Sequence, residues 1–190
     1  KRGHLLIGTG ENYTIPATHT SDAVQALDLK TGKLVWNYQA TSHDTWNLAC
    51  PGGPNCPDVS GPDLDFGMAP ILVNGIDGKD ILVIGQKSGV VHALNPETGV
   101  ILWNKRIGKG GALGGIHMGM ATDGKYIYAP NSDNIYALDS SDKSVVSSPG
   151  LYALDIQTGN VLWRTEIPAC DTARKGCLSS NSAAPMTVPG

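Results

Sequence analysis

The sequence predicts an all-β protein: an arc of about three β-propeller blades. Three observations carry this. An eleven-residue pattern occurs three times, as ALDLKTGKLVW (26–36), ALNPETGVILW (93–103) and ALDIQTGNVLW (153–163), its alanines 67 and 60 residues apart, and recurrence at such a period marks a repeat architecture. The apolar runs are short, ILVIG at 81–85 being typical, and none shows the periodicity of a long helix. Glycine (24) and proline (12) are frequent while charged residues make up 16%, a balance that suits short strands joined by tight turns.

The elements follow in order. The chain opens at KRGHLLIGTGENY as if within a strand, without a cleavable targeting segment. In the middle unit, ILVIGQK, a Ser-Gly turn, VVHALNP, a Glu-Thr-Gly turn and VILWNKRI read as an antiparallel meander rich in Val, Ile and Leu. Gly32, Gly99 and Gly159 fall where the hairpin needs a positive φ. Trp36, Trp103 and Trp163 recur once per unit and are expected to pack between blades, because a residue repeated in every blade serves the blade. Asp28, Asn95 and Asp155 share one slot, so turn capping explains all three.

Two segments break the repeat. Residues 41–65 form one insertion, and near-duplication of NIYALDS (134–140) by GLYALDI (150–156) makes 134–149 an inserted loop or short extra hairpin. The domain is read as residues 1–190, a partial ring. A propeller closes with at least four blades, so the remaining blades are expected from a longer chain or from other copies.

Composition narrows the function classes. With 41% hydrophobic residues and a net charge of -3, the chain has apolar material for a core and no basic excess to bind nucleic acid. No apolar run is long enough to span a bilayer. Cys50 and Cys56, and Cys170 and Cys177, form two local pairs around short polar loops. Two disulfides are the favoured reading over free thiols or a metal site, since neither pair has zinc-type spacing, and they point to a periplasmic or secreted protein. His92 and His117 have no second ligand at metal spacing and read as packing or hydrogen-bonding residues. GKGGALGG (108–115) lacks the ending of a phosphate loop.

The three copies resemble the tryptophan-docking repeat of the eight-bladed quinoprotein dehydrogenases, which oxidise alcohols with pyrroloquinoline quinone (PQQ) and calcium. IGTGENYT (7–14), TSHDTWNLAC (41–50), DFGMAPIL (65–72), GQKSGVVHALNPETG (85–99) and GGIHMGMATDG (114–124) are most similar to the polyvinyl-alcohol dehydrogenase branch. The resemblance implies an arc of an eight-bladed propeller, inactive alone, from an enzyme that takes hydride from a secondary or polymeric alcohol. It also implies a cytochrome c-type electron acceptor.

Carried over residue by residue, the family's calcium-ligating segment falls on Glu11 or Asn12, whose oxygens both suit calcium; the alternative is that both are loop-surface residues. The segment that supplies the family's general base reads His43-Asp44-Thr45-Trp46-Asn47, with Asn47 at the position of the base. An amide has no useful basicity at neutral pH. Either the base comes from elsewhere, Asp44 takes the part, or the domain is silent; Asp44 also reads as a structural turn residue. Lys87 matches the cation that reaches the quinone oxygens, and neither other copy has a lysine there. Two binding readings compete: a non-catalytic scaffold of the outer-membrane assembly type, and a lectin-like propeller, for which no repeated aromatic-acidic site is seen.

Overall fold

The computed structural model describes residues 3–133, 144–171, 173–175 and 177–188. Among them are eleven strands and no helix, arranged in three antiparallel sheets. The first is a meander of β1 (His4–Gly8), β2 (Ala23–Asp28) and β3 (Leu34–Gln39). The second holds β4 (Ile71–Asn74), β5 (Asp80–Gly85), β6 (Val90–Leu94) and β7 (Ile101–Arg106). The third holds β8 (Ala121–Thr122), β9 (Tyr126–Asn131), β10 (Gly150–Asp155) and β11 (Val161–Glu166). The pattern predicts three strands per unit; β4 and β8 add a fourth, too short to stand out in the sequence.

The repeated motif builds the same hairpin each time. Its alanine faces its tryptophan (Ala26 and Trp36, Ala93 and Trp103, Ala153 and Trp163), and the next pair skips a residue. Val35, Leu102 and Leu162 are therefore the extra residues of a β-bulge, which bends the outer strand. In the turn, Asp28 Oδ1 accepts the N–H of Lys30 (3.1 Å) and of Thr31 (2.8 Å) and the Thr31 hydroxyl (2.8 Å). Asp155 does the same for Gln157 and Thr158, and Asn95 for Glu97. Gly32, Gly99 and Gly159 follow at φ 68°, 71° and 70°, so the capping and glycine expectations hold.

The tryptophans join the sheets. The Trp36 indole N–H donates to the Pro96 carbonyl (3.2 Å), and that of Trp103 to the Ile156 carbonyl (3.0 Å). Each ring lies on the turn glycine of the next sheet: a Cβ at Gly99 would stand 2.6 Å from Trp36 Cε3. Three sheets linked in succession by one joint form an arc of propeller blades. Trp163 departs from the expectation: it is 44% exposed and rests on Tyr128 of its own sheet, with no turn of a further sheet beneath it among the described residues.

The core runs through the middle blade and both of its faces. Leu82, Val83, Ile84, Val91 and Leu94 are fully buried and pack with Val24, Phe66, Ile116, Ile127 and Leu154. The insertion at 41–65 is non-strand chain tied to the first blade by a parallel bridge between Asn12 and Thr45. Of the expected 134–149 insertion, 134–143 lie outside the described residues, and 144–149 lead without strand into β10. Cys50–Cys56 and Cys170–Cys177 are both disulfides, as expected. No helix long and apolar enough to cross a membrane occurs among the described residues.

Candidate functional site

Four segments that do not repeat meet at one end of the first two blades: 8–13, 41–47, 61–67 and 86–88. Their meeting depends on small residues and on amide ties. A Cβ at Gly8 would lie 2.7 Å from Phe66 Cβ, and one at Gly10 would lie 2.6 Å from Asp65 Oδ1, so only glycine lets the 63–67 strip lie against β1 and its loop. Phe66 N–H donates to the Thr9 carbonyl (3.1 Å). The Gln86 amide, just past β5, donates to the Thr41 hydroxyl (3.0 Å) and the Leu64 carbonyl (2.7 Å).

The strip delivers two acids to a third. Carboxylate oxygens of Glu11, Asp63 and Asp65 all lie within 4.8 Å of one another. Glu11 N–H donates to Asp65 Oδ1 (3.0 Å), and Lys87 N–H to the Asp65 carbonyl (3.0 Å). The Lys87 side chain is 7% exposed and bridges Asp63 Oδ1 (2.8 Å) and Asp65 Oδ2 (2.5 Å). Asp63 holds a left-handed backbone, φ 58°, a conformation a non-glycine residue keeps only when its surroundings enforce it. Asp44 enforces it: its Oδ1 accepts the N–H of Asp63 (3.1 Å) and its Oδ2 that of Leu64 (2.9 Å).

The electrostatics are unbalanced. Burial, then the hydrogen bond and charge of Asp65, push Glu11 up to about 8. Burial raises Asp63 to about 6 although Lys87 draws it down. Burial also works against Asp65, but hydrogen bonds from Glu11 and Lys87 outweigh it and hold its carboxyl below the ordinary range. Lys87 itself is disfavoured by burial, yet its bonds to Asp63 and Asp65 keep its pKa above that of a free lysine. Asp22, fully buried at φ 47°, has no hydrogen-bond partner for either oxygen among the described residues. Burial, followed by the charges of Asp44, Asp65, Glu11 and Asp63, raises it to about 8. Asp63 and Asp65 hold the Lys87 ammonium, and Glu11, Asp22 and Asp44 lie close enough to interact electrostatically with these acids, so the region carries an excess of acidic groups. Such a cluster of hard oxygens can hold a divalent cation.

The sequence-derived candidates separate. Glu11 and Lys87 join the cluster. Asn12 borders a cavity of about 530 Å³ that Glu11 and Asp65 also line, but its Oδ1 accepts the N–H (2.6 Å) and hydroxyl (3.0 Å) of Thr18. Asp44 is fully buried with both oxygens on backbone N–H groups. Asn47 lines a cleft of about 680 Å³ together with Glu11, Tyr13, Thr14, Trp46 and Leu48. The cavity of about 530 Å³, bounded also by Gly10 and Phe66, shares Glu11 with this cleft. His92 is buried and pushed down to about 4 by that burial, between Tyr38 and Gln86; it packs, as expected. Sequence reasoning misses Asp22, Asp63 and Asp65; the available signals are the Asp-x-Asp of PDLDF inside the unrepeated insertion and the Asp four residues ahead of the first motif.

A family model described as "PQQ: Glucose/ethanol/alcohol dehydrogenase, beta-propeller domain" matches residues 10–65, the stretch that contains all five acids. Two relatives, each called polyvinylalcohol dehydrogenase, are 37% identical: one from Pseudomonas sp over 100% of this chain, the other from Sphingopyxis sp. strain 113P3 over 98%. Over its whole length the chain is thus similar to part of these alcohol dehydrogenases. It spans 29% of the length of either relative. Among solved structures, the quinohemoprotein alcohol dehydrogenase ADHIIG from Pseudomonas putida HK5 superposes with a TM-score of 0.54 at 16% identity, covering 86% of this chain and 25% of that one. A europium-containing methanol dehydrogenase gives 0.51 at 16% identity, covering 76% and 32%. At such identity these two show the quinoprotein propeller fold alone.

Proposed function

We propose that the chain is part of a PQQ-dependent dehydrogenase that oxidises a secondary or polymeric alcohol with the help of calcium. The observation that carries this is the convergence of Glu11, Asp63, Asp65 and Lys87 beside a cleft. A scaffold or lectin has no use for three carboxyls and an ammonium forced into one half-buried cluster. The donor set fits calcium: three hard oxygens within reach of one ion, with a fourth carboxyl, Asp22, that interacts electrostatically with them and has no hydrogen-bond partner among the described residues. When bound, the quinone would accept two electrons and the calcium would act as a Lewis acid toward an oxygen.

The chain's own residues supply the setting. Glu11, on the walls of both cavities, would ligate the ion and lose its proton on doing so. The Lys87 ammonium, held on Asp63 and Asp65, would supply positive charge to stabilise a reduced quinone oxygen. Asp44 fixes Asp63 through the backbone and so acts by positioning. The two disulfides support a periplasmic or secreted location, and a cytochrome c-type protein is the proposed electron acceptor. Further blades, from a longer chain or other copies, would cover Trp163 at one end and the Gly32 turn, which has nothing within 4 Å, at the other.

The test is quinone uptake by the full-length protein that carries the complete propeller, read by PQQ absorbance, with dye-coupled oxidation of a secondary alcohol. Calcium-dependent uptake that Asp65→Asn abolishes is expected; no uptake, or uptake indifferent to calcium, would overturn the proposal.

A further inference from the structure

Asn47 makes a complete set of amide hydrogen bonds. Its Nδ2 donates to the Tyr13 carbonyl (3.2 Å) and the Asn55 carbonyl (2.9 Å), and its Oδ1 accepts the N–H of Ala49 (2.9 Å). The orientation is fixed by chemistry. A flipped amide would set its oxygen against two carbonyls and its NH2 against an N–H. The bonds add a side-chain tie to the backbone bridge by which Asn12 meets Asp44 and Trp46, and they carry it across the cleft: Tyr13 belongs to one wall, whereas Trp46, Leu48, Ala49 and Asn55 form the other. Asn55 precedes Cys56, and the Cys50–Cys56 disulfide closes the loop that carries it. Leu48, beside the amide, is 93% exposed at the rim.

We propose that Asn47 is a positioning residue that ties the two walls of the cleft together and so sets how the alcohol is held, rather than a group that takes its proton. The inference rests on the dehydrogenase reading and deepens it. It also explains why an aspartate does not suit this position: a carboxylate cannot donate, and it would face two carbonyl oxygens.

The discriminating variant is Asn47→Asp in the full-length protein supplied with PQQ and calcium, with Asn47→Ala beside it. If Asn47 is a tie, Asn47→Asp at pH 7.5 raises KM about ten-fold and leaves kcat within about two-fold, the size expected from losing one or two hydrogen bonds. Lowering the pH protonates the new carboxyl and returns one donor, so KM recovers toward that of the unaltered protein on the acid side. Asn47→Ala shows the same loss without that recovery. A general base at this position gives the opposite sign: kcat above that of the unaltered protein, rising with pH.

A second readout needs no activity. Hydrogen exchange at neutral pH should quicken in both variants in peptides covering 13–17 and 50–56, and stay unchanged in those covering 80–94. Unchanged exchange in 13–17, or a kcat gain in Asn47→Asp, overturns the tie. Absence of alcohol oxidation in the unaltered full-length protein overturns the dehydrogenase reading instead, and the exchange result still decides the tie.

Discussion

Replacing Gly99 and Gly32 by alanine tests the joint between blades against its own control. Both glycines sit in the same turn at nearly the same φ, 71° and 68°, so both alanines incur the left-handed penalty of about 1–2 kcal/mol, partly offset by a less flexible unfolded chain. They differ in what a Cβ meets. At Gly32 nothing lies within 4 Å, whereas at Gly99 the Trp36 ring is 2.6 Å away. The ring must back off, which costs about 1–3 kcal/mol for overpacking, and its N–H loses the Pro96 carbonyl, worth about 1 kcal/mol. Gly32→Ala should therefore destabilise the 190-residue chain by about 1 kcal/mol and Gly99→Ala by about 3–4 kcal/mol. Urea unfolding followed by tryptophan fluorescence measures both. Equal losses, within about 0.5 kcal/mol, would refute the claim that the indole seated on the next blade's turn holds the arc together.

The other predictions concern the acid cluster without calcium. Lys87→Met strands Asp63 and Asp65, both largely buried, and should cost about 3–5 kcal/mol at pH 8; the loss should shrink below pH 6 as Asp63 takes up a proton, and an unchanged melting temperature would count against the ion pairs. Asp22 titrates near 8 in the folded chain and near 4 when unfolded. The folded state therefore holds the extra proton between these values, and stability should fall as pH rises from about 4 to about 8. Asp22→Asn should remove that part of the slope and raise stability at pH 8; a pH–stability curve of undiminished slope would contradict the assignment.

What the sequence disclosed was set by repetition. The motif recurs, so its turn, its Asx cap and its Trp36 and Trp103 joints could be read by comparing copies. The bulge residues Val35, Leu102 and Leu162 escaped notice because a bulge is a mismatch with the facing strand, invisible along one line of sequence. β4 and β8 escaped because ILVN and AT are too short to carry a period. In the site, Lys87 stood out by being unshared. Asp63 and Asp65 did not, since PDLDF reads as ordinary loop until Gly8 and Gly10 bring it against Glu11. That Asn12 binds Thr18 while Glu11 meets Asp65 depends on contacts six and 54 residues away, which no local pattern announces.

Calcium titration by isothermal calorimetry, on chelator-stripped protein, addresses the cation site most directly. One ion per chain is expected, with a Kd of about 10⁻⁷–10⁻⁵ M, proton release near pH 7.5 as Glu11 ionises, and loss of binding in Asp65→Asn. Absence of binding, or the same isotherm in Asp65→Asn as in the unaltered chain, would contradict it.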